Sequence, residues 1–150
     1  MKRLPVVAAL VATAAGATVA EAAIRKGSFS GSTAAADPVT LKVDGKGRVH
    51  AFTYDGVHMT CSDGDEFDTG PGLGSPAAKR YRVTKGKFKI KVRETEHGRG
   101  WDINGRFRSR GKAARGTLTI FAKFDASNNA DPNGSVECSS GTLKWSAKRK

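Results

Sequence analysis

Residues 101–124, WDINGRFRSRGKAARGTLTIFAKF, constrain the fold more than any other stretch. Apolar or small residues fall at every second position on both sides of Gly111-Lys112. A helix would scatter them around its axis, whereas a strand puts them on one face. With a turn at Gly111-Lys112, Phe107 is expected to face Gly116, Gly105 to face Leu118, Ile103 to face Ile120 and Trp101 to face Ala122. On the other face Arg106, Arg108 and Arg110 point outward. The same register sets Arg108 directly opposite Arg115.

The rest of the chain repeats this pattern at short intervals. Gly27–Gly31, Val39–Val43, Lys79–Val83 and Lys87–Arg93 read as strands, and Asp44-Gly45-Lys46-Gly47 and Thr84-Lys85-Gly86 read as turns. In RVHAFTYDGVHMTC, Asp55-Gly56 is a two-residue hairpin signal. It predicts Tyr54 opposite Val57, Phe52 opposite Met59 and His50 opposite Cys61, with Thr53 and His58 on the other face. Residues 62–78 read as a long loop, and residues 127–134 as a second, built from turn-forming residues. Val136 and Cys138, then Leu143, Trp145 and Ala147, alternate inward. Trp101 and Trp145 read as buried anchors rather than a sugar-stacking pair. No useful helical period occurs after residue 22. The expected fold is all-β: an antiparallel two-layer sandwich, jelly-roll-like or a short barrel, with one disulfide.

Residues 1–22 read as a secretory signal. Lys2 and Arg3 precede the apolar run Val6–Ala20, which ends in Ala20-Glu21-Ala22, the small-residue pattern of a cleavage site after Ala22 or Ala20. No second apolar segment follows, so no transmembrane segment is expected after cleavage, and residues 23–150 form one domain. In an exported chain, Cys61 and Cys138, the only two cysteines, pair as a disulfide. The chain-entropy treatment values such a long closed loop at about 4 kcal/mol.

A series of motifs runs through the mature region: Gly27-x-Phe29-x-Gly31, Cys61, Gly86-x-Phe88, Gly105-x-Phe107, Ala114-x-Gly116-Thr117-Leu118 and Cys138-x-x-Gly141-x-x-x-Trp145-x-Ala147. The series resembles that of small secreted bacterial β-sandwich proteins of uncharacterised function. The resemblance implies the fold and export. It carries no catalytic residue to this chain.

The chemistry-bearing residues divide into three groups. The acidic run at Asp63, Asp65, Glu66 and Asp68 does not follow the order of a calcium loop, so no metal or cofactor is expected. His50, His58 and His97 are not placed to share a metal, and no serine sits in a nucleophile setting. The third group is basic. The chain carries +12, and losing Lys2, Arg3 and Glu21 with the signal leaves about +11. Phe88, Ile90 and Val92 turn inward, which leaves Lys87, Lys89, Lys91 and Arg93 on the outer face with Arg106, Arg108 and Arg115. The expected polyanion site is therefore Lys87, Lys89, Lys91, Arg106, Arg108 and Arg115, on a secreted, non-catalytic protein. Its expected partners are anionic cell-wall or extracellular polymers. Phe121, between Thr119 and Lys123, also falls on an outer face. Sequence-specific nucleic-acid reading has no motif to support it. Two alternatives stand beside this reading. One is a polymer-degrading hydrolase or lyase using carboxylates of residues 62–70, and the other is a purely structural envelope protein.

Overall fold

Among the described residues, alternating apolar side chains generate ten strands, β1 (Gly27–Thr33), β2 (Pro38–Val43), β3 (Val49–Tyr54), β4 (His58–Cys61), β5 (Glu66–Asp68), β6 (Lys87–Glu94), β7 (Arg99–Arg108), β8 (Ala113–Phe124), β9 (Val136–Ser139) and β10 (Leu143–Arg149). The computed structural model describes residues 24, 26–70 and 79–150. The signal reading of residues 1–22 lies outside them, as do residues 71–78 of the long loop. All strand pairings are antiparallel, in one curled sheet ordered β3-β2-β1-β10-β8-β9-β4-β5, with β7 also on β8 and β6 on β7. No helix among the described residues is long and apolar enough to cross a membrane.

Strand β8 is the branch point. One of its edges carries β7 along ten registered pairs, from Arg99–Ala122 to Arg108–Ala113. The other edge is shared, with β10 on Ala113–Leu118 and β9 on Phe121–Phe124. A strand of twelve residues is long enough to serve both neighbours. The inward faces meet in one core around Phe29, Phe52, Trp101, Ile103, Leu118, Ile120 and Met59. Each large apolar side chain so buried contributes roughly 1.5–3 kcal/mol by leaving water. Both tryptophans are buried anchors, as their alternation predicts. Phe52 packs edge-on against Trp145 at 5.1 Å between ring centres, and Phe29 against Phe107 at 5.4 Å. Cys61 and Cys138 are bonded, as expected, and lie directly opposite each other on β4 and β9.

Several local readings are corrected. The β7–β8 hairpin is shifted by two residues: Phe107 faces Ala114, Gly105 faces Gly116, Ile103 faces Leu118 and Trp101 faces Ile120. Its loop is the four residues 109–112, where Ser109, Arg110 and Gly111 are successively left-handed at φ 51°, 55° and 79°. Arg110 belongs to that loop and not to the strand. A shift of two keeps every side chain on its expected face, so the apolar pattern cannot detect it.

Asp55-Gly56 does not form a hairpin. β3 pairs with β2, while β4 pairs with β5 and β9. The backbone groups that a hairpin would use are taken by Thr69: its carbonyl accepts from Gly56 N–H, its N–H donates to Val57 C=O and its hydroxyl accepts from Val57 N–H at 2.9 Å. A register break between Lys42 and Val43 sets Val43 against Val49, so Val49 is buried and His50 faces solvent. Finally, among the described residues, segment 79–83 makes one bridge, Tyr81 to Val49, on the outer edge of β3, and part of the 62–78 loop is strand β5.

The buried Trp101 indole N–H donates to the Tyr54 hydroxyl. Burial pushes the Tyr54 phenol up to about 12, and the Trp101 bond only partly opposes it. A raised value means that the fold favours the neutral phenol. Its contribution is complete below the unfolded tyrosine value of about 10 and is lost as pH rises from there through about 12. Base-induced unfolding should therefore accompany Tyr54 ionisation, and Tyr54→Phe should move it to higher pH. Tyrosinate absorbance and circular dichroism followed together test this. Ionisation of Tyr54 near pH 10 with the folded spectrum intact would count against it.

Candidate anion-binding face

The outer face of the sheet is best described by rows running across the strands. Cross-strand pairing places Lys87 of β6 opposite Arg106 of β7, Arg106 opposite Arg115 of β8, Arg115 opposite Ser146 of β10 and Ser146 opposite Ser32 of β1. Neighbouring strands lie about 4.8 Å apart, so three cations stand side by side with two hydroxyls continuing their line. One row nearer the 109–112 loop runs Arg108, Ala113, Lys148 and Ser30. On the other side the row is Lys89, Asn104, Thr117 and Lys144. All six residues expected to form the site share this face, and all six are exposed.

The opposed arginine pair is Arg106–Arg115, which corrects the expected Arg108–Arg115 pair. Arg108 is diagonal to Arg115. It still feels that charge: Arg115 foremost, then slight desolvation and Arg106, holds the Arg108 guanidinium below the ordinary arginine value. It remains protonated in any physiological medium. Among the described residues, none of the six has a carboxylate at ion-pair distance. Opposed like charges cost stability, and an uncompensated cluster of them attracts anions.

The patch has a defined margin. Lys91 pairs in register with Asp102. Asp102 is in turn gripped by Arg93, with Nη2 to Oδ2 at 2.9 Å and Nη1 to Oδ1 at 3.2 Å. The Arg93 hydrogen bond, outweighing desolvation and assisted by the charges of Arg93, Lys91 and Lys89, draws the Asp102 carboxyl below the usual range. Arg93 also lies over the Phe121 ring, 4.8 Å from its centre. This accounts for Phe121 on an outer face: the ring is roofed by a cation and is not an open platform. The field is centred on Lys87, Arg106 and Arg115.

Three shallow depressions adjoin on this face, of about 750, 570 and 340 Å³. Arg115 lines all three. The first two also share Arg106, Gly116 and Thr117. Lys144 and Lys148 join the face beside the expected six. Their outward phase is legible from Leu143, Trp145 and Ala147 turning inward. That β10 lies against β8 is not, because the pairing is between segments distant in the chain.

The acidic residues form a different surface. Asp63 accepts from the Asp65 N–H at 3.1 Å, in the turn that joins β4 to β5. His58 meets Asp68 at 3.1 Å and Glu66 at 3.6 Å, but all three side chains are more than half exposed. A depression of about 510 Å³ does contain Asp63, Asp65 and Glu66 over Phe67, Phe124 and Val136, and no histidine lines it. Among the described residues these carboxylates do not meet a histidine in that depression. Among the described residues no group of three or more potential ligands is arranged to hold a metal ion.

Comparison with protein-family models, curated proteins and solved structures returns no match.

Proposed function

We propose that the protein is a secreted, non-catalytic module that holds anionic cell-wall or extracellular polymers against its basic sheet face. The observation that carries this reading is the row Lys87–Arg106–Arg115, three exposed cations in register on three adjacent strands with no carboxylate at ion-pair distance among the described residues. A surface serving only solubility mixes signs, and a surface serving only to protect an edge needs lysines on the edge strand alone. Here two arginines oppose each other on interior strands. The forked donors of arginine match phosphate, sulfate and carboxylate oxygens. The export component rests on the N-terminal pattern and on a disulfide compatible with an oxidising compartment. Kinship with small secreted bacterial β-sandwich proteins belongs to the same proposal and rests on the quoted motif series.

The test is elution from a heparin column. Binding by charge releases counterions, so retention falls steeply with salt. Arg106→Ser and Arg115→Ser should each elute at clearly lower salt than wild type. Because each relieves the Arg106–Arg115 opposition, neither should melt at lower temperature. Lys46→Ser makes the same change of charge at an exposed lysine of the Asp44–Gly47 turn that lines none of the three depressions, and should elute close to wild type. Equal elution of all four proteins would show that the face is only solvated surface.

A further inference from the structure

We infer that the depression over the Cys61–Cys138 bond is a charge-selective entrance to that bond, a site of thiol–disulfide exchange that takes cationic thiols and turns anionic ones away. The site lies where β4, β5 and β9 meet and is independent of the anion-binding face.

The two halves of the bond differ in access. Cys138 is buried, in register with Ala122 of β8, while Cys61 is half-buried. Both line the depression of about 510 Å³. Its floor is the half-buried Phe67, Phe124 and Val136, and its rim carries the exposed Asp63, Asp65 and Glu66. The backbone fixes those carboxylates beside the cysteine. The Cys61 N–H donates to the Asp65 carbonyl at 2.8 Å and the Gly64 N–H to the Cys61 carbonyl at 3.1 Å, so residues 61–65 close into one tight turn. Among the described residues no lysine, arginine or histidine lines the depression. Lys123, one position along β8 from Ala122, is tied to Glu137 at 2.7 Å, and His58 lies against Asp68 and Glu66.

The local charge is opposite to the overall one. The whole chain carries +12. Arg115, at the centre of the basic face, precedes Ala122 by seven positions on β8, about 23 Å at the usual rise of a strand. In about 0.1 M salt, charges more than about 10 Å apart are largely screened. A thiol entering the depression therefore meets the carboxylates and not the basic face. Clefts lined by one sign of charge raise the local concentration of the opposite ion by about ten- to a thousandfold, and exposed carboxylates belong at the low end of that range.

The step is an exchange. A thiolate attacks the Cys61 Sγ, the more accessible sulfur. The S–S bond breaks and its electron pair leaves on the Cys138 Sγ. A second thiolate then attacks the sulfur contributed by the first, which releases the Cys61 thiolate and a small-molecule disulfide. Two thiols thus supply the two electrons, and the protein thiolates take protons from solvent. Apolar burial disfavours the Cys138 thiolate, so the first displacement is the slow one, and the rim carboxylates act on that approach.

The experiment measures the rate at which the folded protein is reduced by cysteamine, mercaptoethanol and mercaptoethanesulfonate, which are cationic, neutral and anionic. Rates are taken per thiolate and divided by each thiol's rate on a small neutral disulfide, which removes differences in basicity. In about 0.1 M salt they should fall in that order, with about tenfold between first and last. In about 1 M salt, where the screening length is about 3 Å, the three should converge. Asp63→Asn/Asp65→Asn/Glu66→Gln should bring them together at the lower salt as well, whereas Arg115→Ser should keep the wild-type order. Melting curves show whether the variants fold; if the triple variant does not, the wild-type order and its salt dependence decide alone. Mercaptoethanesulfonate reacting fastest would mean that the overall charge rules the approach. Equal rates at the lower salt would mean that no charge selection occurs, and a folded triple variant that keeps the wild-type order would place the selectivity elsewhere. Each of these results overturns the charge-selective entrance.

Discussion

Reduction of the Cys61–Cys138 bond is expected to lower the melting temperature by about 15 °C, the equivalent of about 4–5 kcal/mol in a domain of this size. The cysteines are 77 positions apart. Opening so long a loop returns its closure entropy to the unfolded chain. The folded state loses something as well, because of where the bond lies. Among the described residues strand β5 pairs only with β4, and β4 joins the rest of the sheet through two registered pairs with β9, Thr60–Ser139 and Cys61–Cys138. One of those two pairs is the disulfide itself. The β4–β5 unit, with buried Met59 on its inner face, is therefore held to β9 by its covalent link, one further rung and the Ser62–Glu137 bonds that follow them, and to β8 by Phe67 packing on Phe124. Reduction should loosen this unit before the rest. Hydrogen exchange at Met59 and Phe67 should accelerate more than exchange in the β7–β8 pair, whose ten rungs are untouched. Cys61→Ala/Cys138→Ala should behave as the reduced protein does. A melting temperature within a few degrees of the oxidised value, with unchanged β4–β5 protection, would overturn the expectation.

Alternation made much of the fold legible. Period two in residues 101–124, 87–93 and 143–147 identifies strands and assigns faces, and those faces are the observed ones. The composition of the basic face follows directly, since an outward lysine or arginine is outward in any register of even shift. The neighbours of those residues were less legible. Moving the β7–β8 pairing by two residues costs the apolar pattern nothing, so only the loop could decide it. That loop uses left-handed Ser109 and Arg110, residue types that do not announce such a conformation. Asp55-Gly56 misleads for the opposite reason. Its local signal is strong, but the partner of Val57 is Thr69, which the sequence pattern does not connect to it. The continuation of the row into Ser146 and Ser32 depends on β10 lying between β8 and β1, pairings that join the two ends of the domain. Local alternation holds no record of such contacts.

The shifted register carries a consequence that can be measured at one atom. It sets Gly105 against Gly116 on the two central strands, with Trp145 on the other side of Gly116. A Cβ added at Gly116 would sit 1.7 Å from the Asn104 carbonyl oxygen and 2.8 Å from the Gly105 Cα. Both are backbone atoms of a strand held by neighbours on each side, so they cannot give way without breaking rungs of the ladder. At Gly105 the added Cβ would instead meet the Phe88 ring at 2.2 Å, and a side chain can turn or shift. At Gly45, in the Asp44–Gly47 turn, nothing lies within 4 Å and φ is not left-handed. The three glycine-to-alanine changes should therefore separate widely. Gly45→Ala should be neutral or stabilising by up to about 1 kcal/mol, through the stiffer unfolded chain. Gly105→Ala should cost about 1–3 kcal/mol, the range for overpacking a core. Gly116→Ala should cost more than about 4 kcal/mol, because it forces apart the pairing of β7 and β8. With the expected register of sequence alone, Gly116 would face Phe107 and an added methyl would be an ordinary packing change. Denaturant unfolding of the three variants thus reads the register as well as the stability. A Gly116→Ala protein as stable as Gly105→Ala would mean that Asn104 and Gly116 are not in close approach, and that the Arg106–Arg115 pair at the centre of the anion-binding face is not in register.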